Sequence, residues 1–282
     1  MKALHEFGVR FDSIFGTSIG ALNATMIAQG DVSRLEDLWL SAKASDIFRL
    51  PSPAHVRQIV LGHKLGILDT SPLENIVRRE ASLKKIKASS TRIAFFTTDL
   101  HTLETRMVTS ENILTTEELV EGLMATCAIP ILFPPRRLGG QGQWIDAGLV
   151  YNTPIRAAIR SGAEEVFVVL LYPEKNAGGM RNLVQVAARC VDVALHASAH
   201  KELEIFQAHS HRLDADLHLP ATGSVTLRVV QAEDLGNHHL LEIGPKRSQR
   251  LIQRGYEDAI HQLSSFCCPS KVLEASPVSP AG

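Results

Sequence analysis

Ser18 stands at the centre of Gly16-Thr17-Ser18-Ile19-Gly20, a G-x-S-x-G pentapeptide. A serine hydroxyl becomes an acyl-transfer nucleophile once a neighbouring base takes its proton. Residues 11–15 (Phe-Asp-Ser-Ile-Phe) have the content of a short buried strand, and residues 21–28 (Ala-Leu-Asn-Ala-Thr-Met-Ile-Ala) suit a helix. A serine on such a strand-to-helix turn projects its hydroxyl from the top of a sheet. Glycines at 16 and 20 fit a turn that demands unusual backbone angles and close backbone approach. The same residues also fit a glycine-rich βα turn in which Ser18 merely caps the helix. On this segment alone both readings stand.

The base must come from a second special turn. Trp144-Ile145-Asp146-Ala147-Gly148 sets a carboxylate at the end of a short apolar strand, and Asn152-Thr153-Pro154 follows with polar capping and a helix start. Asp146 is therefore the candidate base, with an Asx-turn aspartate that does no chemistry as the alternative. His196, His200 and His209 follow in the order a Ser–Asp–His triad requires, which raises an α/β-hydrolase as a rival. In that fold several strands and the oxyanion loop precede the serine, and seventeen residues cannot hold them. His196 and His200 lie one helical turn apart, with His209 and His211 beyond, but no carboxylate or cysteine completes a zinc set. Cys127, Cys190, Cys267 and Cys268 form no C-x-x-C pair, and no metal or cofactor is expected.

Strands alternating with helices position these turns. Helical patterns cover 20–29, 32–43, about 180–207 and 246–264. Another opens at Ser71-Pro72-Leu73-Glu74 with capping-box spacing, and one opens at Thr115-Thr116-Glu117-Glu118 and runs to Cys127. Thr153-Pro154 begins a further helix. Strands are expected at 92–98 and near 225–230, and Glu165–Leu171 is apolar enough for a strand covered on both faces. The alternation predicts an α/β sandwich around a largely parallel sheet. One domain over 1–266 is expected, with 267–282 as a flexible tail.

Three ordered segments carry a family resemblance. Residues 16–24, the segment Ala125-Thr126-Cys127-Ala128-Ile129-Pro130-Ile131-Leu132-Phe133-Pro134-Pro135, and Asp146-Ala147-Gly148 with Asn152 and Pro154 together resemble patatin-like phospholipases. Gly255-Tyr256 matches a weaker family feature, and the resemblance covers about residues 1–264. It implies a three-layer patatin-like sandwich and a serine acyl hydrolase, of lipase or phospholipase A type. Ser18 and Asp146 would form a catalytic dyad, and an acyl-enzyme would be hydrolysed by water. Phospholipid or neutral-lipid acyl esters are the implied substrates, with an apolar acyl channel and peripheral membrane contact. Cytoplasmic localisation, peripheral at a membrane, is expected.

Two departures stand out. Ala147 occupies a position where the family usually has glycine, a methyl group that the turn is expected to tolerate, with narrowing of the turn as the alternative. The family's first strand and glycine-rich oxyanion loop lie ahead of the helix that begins near Met1, so the resemblance implies an N-terminally truncated copy with that strand missing. The N–H of Ile19 is then the remaining oxyanion donor, with Gly16, Gly20 and Gly148 supporting the turns. The alternative function is a catalytically impaired acyl-lipid-binding or regulatory relative.

The 29 lysines and arginines against 30 acidic residues give a net charge of −1, with no global field that favours nucleic acid or an anionic membrane. Apolar residues between Ile47 and Leu68 suit either a core-packing helix and loop or a membrane-touching lid, with core packing preferred because no lysine/arginine-rich face lies beside them. Arg136-Arg137 reads as solvated charge or as a phosphate contact, and Asp99 as a turn residue or a buttress of the site.

Overall fold

The structure, a computed structural model, describes residues 1–171, 183–210, 225–232 and 242–266. The chain begins with α1 (Lys2–Glu6), β1 (Ser13–Thr17), α2 (Ile19–Ala28) and α3 (Val32–Ser41). Short helices α4 (Ala44–Ile47) and α5 (Pro53–Val60) lead to α6 (Ser71–Glu80) and α7 (Leu83–Ala88). Then come β2 (Arg92–Asp99), β3 (Thr105–Thr109), α8 (Thr116–Thr126), β4 (Arg136–Leu138) and β5 (Gln141–Asp146). The remainder is α9 (Gly148–Tyr151), α10 (Ile155–Arg160), β6 (Glu165–Leu170), α11 (Leu183–Ser210), β7 (Thr226–Gln231) and α12 (Pro245–Phe266).

This is the α/β architecture that alternation of elements implies. The crossover-connected strands pair in parallel, β1 with β2 and β6 with β7. Antiparallel pairing belongs to β3 and to the β4–β5 hairpin, which extend the sheet along and beyond β2. β2 is the strand covered on both faces, and every residue from Ile93 to Asp99 is buried. On one side Ile93 and Phe95 join Ala21, Ala24, Leu73, Val77, Leu119 and Leu123 in the largest core cluster. On the other, the ring of Phe96 meets that of Tyr151 edge-on at 4.8 Å.

β6 departs from expectation. Its apolar run predicts cover on both faces, yet burial alternates: Val166, Val168 and Leu170 are buried while Val169 is 57% exposed. Among the described residues β1 and β6 each pair with one strand, and a cleft of about 1120 Å³ is lined by residues 13–18, along and just after β1, and 164–171, along and flanking β6. Main-chain groups on an unpaired strand edge need partners from solvent or from another extended segment.

Capping also sorts itself physically. Thr115 and Glu118 form a reciprocal capping box at the start of α8, which fixes the helix that ends beside Ser18. The Ser71–Glu74 spacing does not. Asp69 takes both the N–H and the hydroxyl of Ser71, Thr70 becomes the cap residue, and Glu74 is drawn to Arg136 and Arg78. Ionic partners thus outcompete a neutral cap. The tail expected beyond 267 and the residues His211, Cys267 and Cys268 lie outside the described residues, as does the side chain of His209.

Candidate active site

The turn between β1 and α2 holds Ser18 at φ 57° and ψ −130°, a positive-φ conformation that L side chains avoid. Such strain costs about 1–3 kcal/mol and persists only where surrounding structure enforces it. The enforcement is visible. The Ser18 N–H donates to Thr126 Oγ1 at 2.9 Å, and that hydroxyl donates to the Phe96 carbonyl at 2.6 Å. The Thr17 hydroxyl donates to the Tyr151 carbonyl at 3.0 Å, tying the same turn to α9.

Glycine is required at one of the two flanking positions. A Cβ on Gly16 would lie 2.5 Å from the Gly20 carbonyl carbon and oxygen, so β1 and α2 touch through bare backbone. A Cβ on Gly20 would meet nothing within 4 Å. Neither glycine has positive φ; the unusual angles expected of them belong to Ser18 itself.

Asp146 ends β5, the strand that pairs antiparallel with β2. Its N–H donates to the Ala128 carbonyl at 3.0 Å, and the Thr97 hydroxyl holds the Ile145 carbonyl at 2.7 Å. The carboxylate is 2% exposed, accepts from the Gly148 N–H at 2.8 Å, and has the Ser18 side chain near enough to act on its pKa. Burial pushes its pKa up to about 6, against the opposing pull of those two groups. The same burial, reinforced by the Asp146 charge, raises the Cys127 thiol well above its ordinary range.

Asp146 therefore both caps its own turn, as an Asx aspartate does, and stands beside the Ser18 side chain. Gly148 leaves room for this: a Cβ there would stand 2.5 Å from Leu195 Cδ2 and 3.0 Å from Asp146 Oδ1. Ala147 is fully buried with helical backbone angles, φ −73° and ψ −8°, a conformation that any L residue adopts. Ile19 is the first residue of α2, where helix N–H groups lack internal acceptors. Ile19, Gly20 and Ser18 all line the cleft between β1 and β6.

Other candidates resolve into structural roles. Asp99 accepts from the His101 and Thr102 N–H groups at 2.7 and 3.3 Å, an Asx turn. Arg136 bonds Glu74 and Thr70 and ties β4 to α6. Asn152 anchors the chain to α11, its N–H on Ser198 Oγ and its amide on the Leu195 carbonyl. The His196 and His200 rings lie 4.3 Å apart on α11, and among the described residues no histidine is a partner of Asp146. Thr126, Thr17 and Tyr151 were missed as site residues. Thr126 lies in the Ala125–Pro135 segment, but nothing local to it marks the contact it makes with Ser18.

The chain is thus an α/β protein in which a positive-φ serine turn and a buried aspartate turn come together at one end of the sheet. Residues 1–159 match the sequence profile of the patatin-like phospholipases, and the chain belongs to that family. Among solved structures, VipD from Legionella pneumophila is similar, with TM-score 0.45 and 14% identity over 94% of this chain. The chain spans 63% of the length of that protein. No curated protein matches.

Proposed function

We propose that the protein is a serine acyl hydrolase that cleaves phospholipid or neutral-lipid acyl esters through Ser18 and Asp146. The observation that carries this reading is the positive-φ strand-to-helix turn that sets Ser18 beside the buried Asp146 carboxylate. A base with pKa near 6 is largely ionised at neutral pH yet basic enough to accept a proton as the hydroxyl attacks.

Ser18 Oγ bonds to the ester carbonyl carbon as its proton passes to Asp146. The carbonyl oxygen becomes an oxyanion facing the Ile19 N–H at the positive end of α2. Collapse breaks the bond to the alcohol, which leaves with the proton from Asp146. Asp146 then takes a proton from water, the hydroxide attacks the acyl-enzyme, and the acid departs as Ser18 recovers its proton. Ile27, Ile129, Ile155 and Leu195 give an acyl chain an apolar wall beside Ser18. No described helix is long and apolar enough to cross a membrane.

One observation favours a second reading, lipid binding without turnover. The edge of β1 that leads into Ser18 borders the open cleft, and no described strand pairs with it to carry a second oxyanion donor. Loss of one such donor typically costs about 2.7–4 kcal/mol in the barrier.

Turnover of a short-chain p-nitrophenyl ester separates the readings. Activity abolished in Ser18→Ala and reduced roughly 10²–10⁴-fold in Asp146→Asn supports hydrolysis. Ester turnover untouched by Ser18→Ala would rule it out, and an inert wild-type chain that still binds fatty acyl ligands would leave the binding reading.

A further inference from the structure

We propose that α5 and the loops on either side of it form a docking face for an anionic lipid bilayer. The inference rests on the proposed lipid-ester chemistry for its choice of partner, and on the surface itself for its location.

α5 differs from the core-packing helix that its apolar content predicts, because none of its residues is buried. Val60 is 79% exposed and Leu50 78%, and Leu61 and Leu65 are each 56% exposed. Val56 and Val60 stand one helical turn apart, with Arg57 and Leu61 as the adjacent row. His55 and Ile59 turn inward and are half-buried, and the His55 ring meets the Gly66 carbonyl at 3.1 Å. A helix so exposed leaves its apolar row without cover from the described chain.

Charge indicates what covers it. No aspartate or glutamate occurs between Ile47 and Leu68, while Arg49, Arg57 and Lys64 do, in a chain whose net charge is −1. All three basic residues are exposed. Arg49 is shared with Asp69 at 3.6 Å, whereas Arg57 and Lys64 have no ion-pair partner among the described residues. Apolar side chains interleaved with basic ones suit the bilayer interface, where the former sink to the acyl boundary and the latter stay with anionic head groups.

The face also adjoins the site. Ile67 and Leu68 donate to the carbonyls of Ile131 and Leu132, and a Cβ on Gly66 would strike the backbone of Phe133 and Pro134. The same strap carries Ile129, which lines the cleft with Ser18, and Ala128, which holds the Asp146 N–H. Ile131 on that strap is itself 63% exposed. A bilayer seated on α5 thus lies against the segment that borders Ser18.

Co-sedimentation of the full chain with phosphatidylcholine vesicles, with and without phosphatidylglycerol, tests this. Wild type is expected to partition onto the anionic vesicles, and less so as salt rises. Arg57→Gln/Lys64→Gln should weaken that partition by about 25-fold, roughly fivefold per charge. Val60→Ser/Leu61→Ser should weaken it at every salt concentration, while Lys84→Gln/Lys201→Gln should not. Absence of partition, or equal partition of wild type and the α5 variants, overturns the proposal. So does a dimer that Leu61→Ser dissociates and that vesicles do not displace, which would make the face a protein interface. The two readings fail separately. Ser18→Ala should bind vesicles as wild type does, and Arg57→Gln/Lys64→Gln should turn over a soluble ester as wild type does.

Discussion

The main-chain N–H of Ser18 is held by the side chain of Thr126, at 2.9 Å, across 108 residues of sequence. Thr126 is fully buried and passes the restraint on to β2 through its own hydrogen bond to Phe96. The strained turn is thus fixed from beneath, by the end of α8, and the hydroxyl is left free to face Asp146.

Thr126→Val removes that acceptor and leaves the Ser18 N–H and the Phe96 carbonyl unpaired. A stability loss of about 1–3 kcal/mol is expected, with a fall in kcat larger than any change in KM. Thr126→Ser should restore both. Denaturant titration and ester kinetics on the two variants check this, and a Val variant with wild-type kcat would contradict it.

Asp146 carries a stability cost that depends on pH. Its folded pKa, about 6, lies above the unfolded value of 3.8, so the folded state holds its proton more tightly. Stability is therefore greatest below the unfolded pKa and declines as pH rises through the interval up to about 6. At about 1.4 kcal/mol per pH unit the cost at neutral pH is on the order of 3 kcal/mol. Asp146→Asn should consequently be more stable than wild type at pH 8, with the difference shrinking toward pH 4. Activity runs the other way, rising with pH as the base ionises near 6. Paired denaturation curves and a pH–rate profile measure both, and a profile flat from pH 5 to 8 would count against Asp146 as the base.

Gly16, Gly20 and Gly148 separate by what their missing side chains would touch. Gly16→Ala and Gly148→Ala should each lose about 1–3 kcal/mol or more, since immobile backbone or the Asp146 carboxylate stands in the way. Gly20→Ala meets open space and should fold and melt as wild type does, or slightly better for reduced freedom in the unfolded chain. Thermal melts of the three variants decide this, and equal losses at all three positions would show the close approach at Gly16 to be unimportant.

Sequence periodicity and turn chemistry made the α/β order legible, along with both turns of the site. Ser18 announces itself through the pentapeptide, and Asp146 through an apolar strand that ends in Asp-Ala-Gly. What escaped is what periodicity does not encode. The exposure of α5 depends on what tertiary structure leaves uncovered, and its composition alone reads equally well as core. The one-sided burial of β6 follows from what covers its faces: Val166, Val168 and Leu170 pack against Ile155, Ala158, Ile159 and Ala199, while Val169 on the other face stays exposed, and apolar content does not encode that cover. Thr126 acts through a long-range contact, and a threonine near a helix end has no local mark to separate it from an ordinary one. The Ser71–Glu74 box failed because Asp69 and Arg136, distant or outside the box, offer charged partners that a neutral cap cannot match.

Covalent trapping tests the central claim most directly. Incubation with a fluorophosphonate, followed by peptide mass mapping, is expected to place the adduct on Ser18 in wild type. Labelling should be slow in Asp146→Asn and absent in Ser18→Ala. An adduct on another residue, or labelling of Ser18 at an unchanged rate in Asp146→Asn, would contradict a serine nucleophile activated by Asp146.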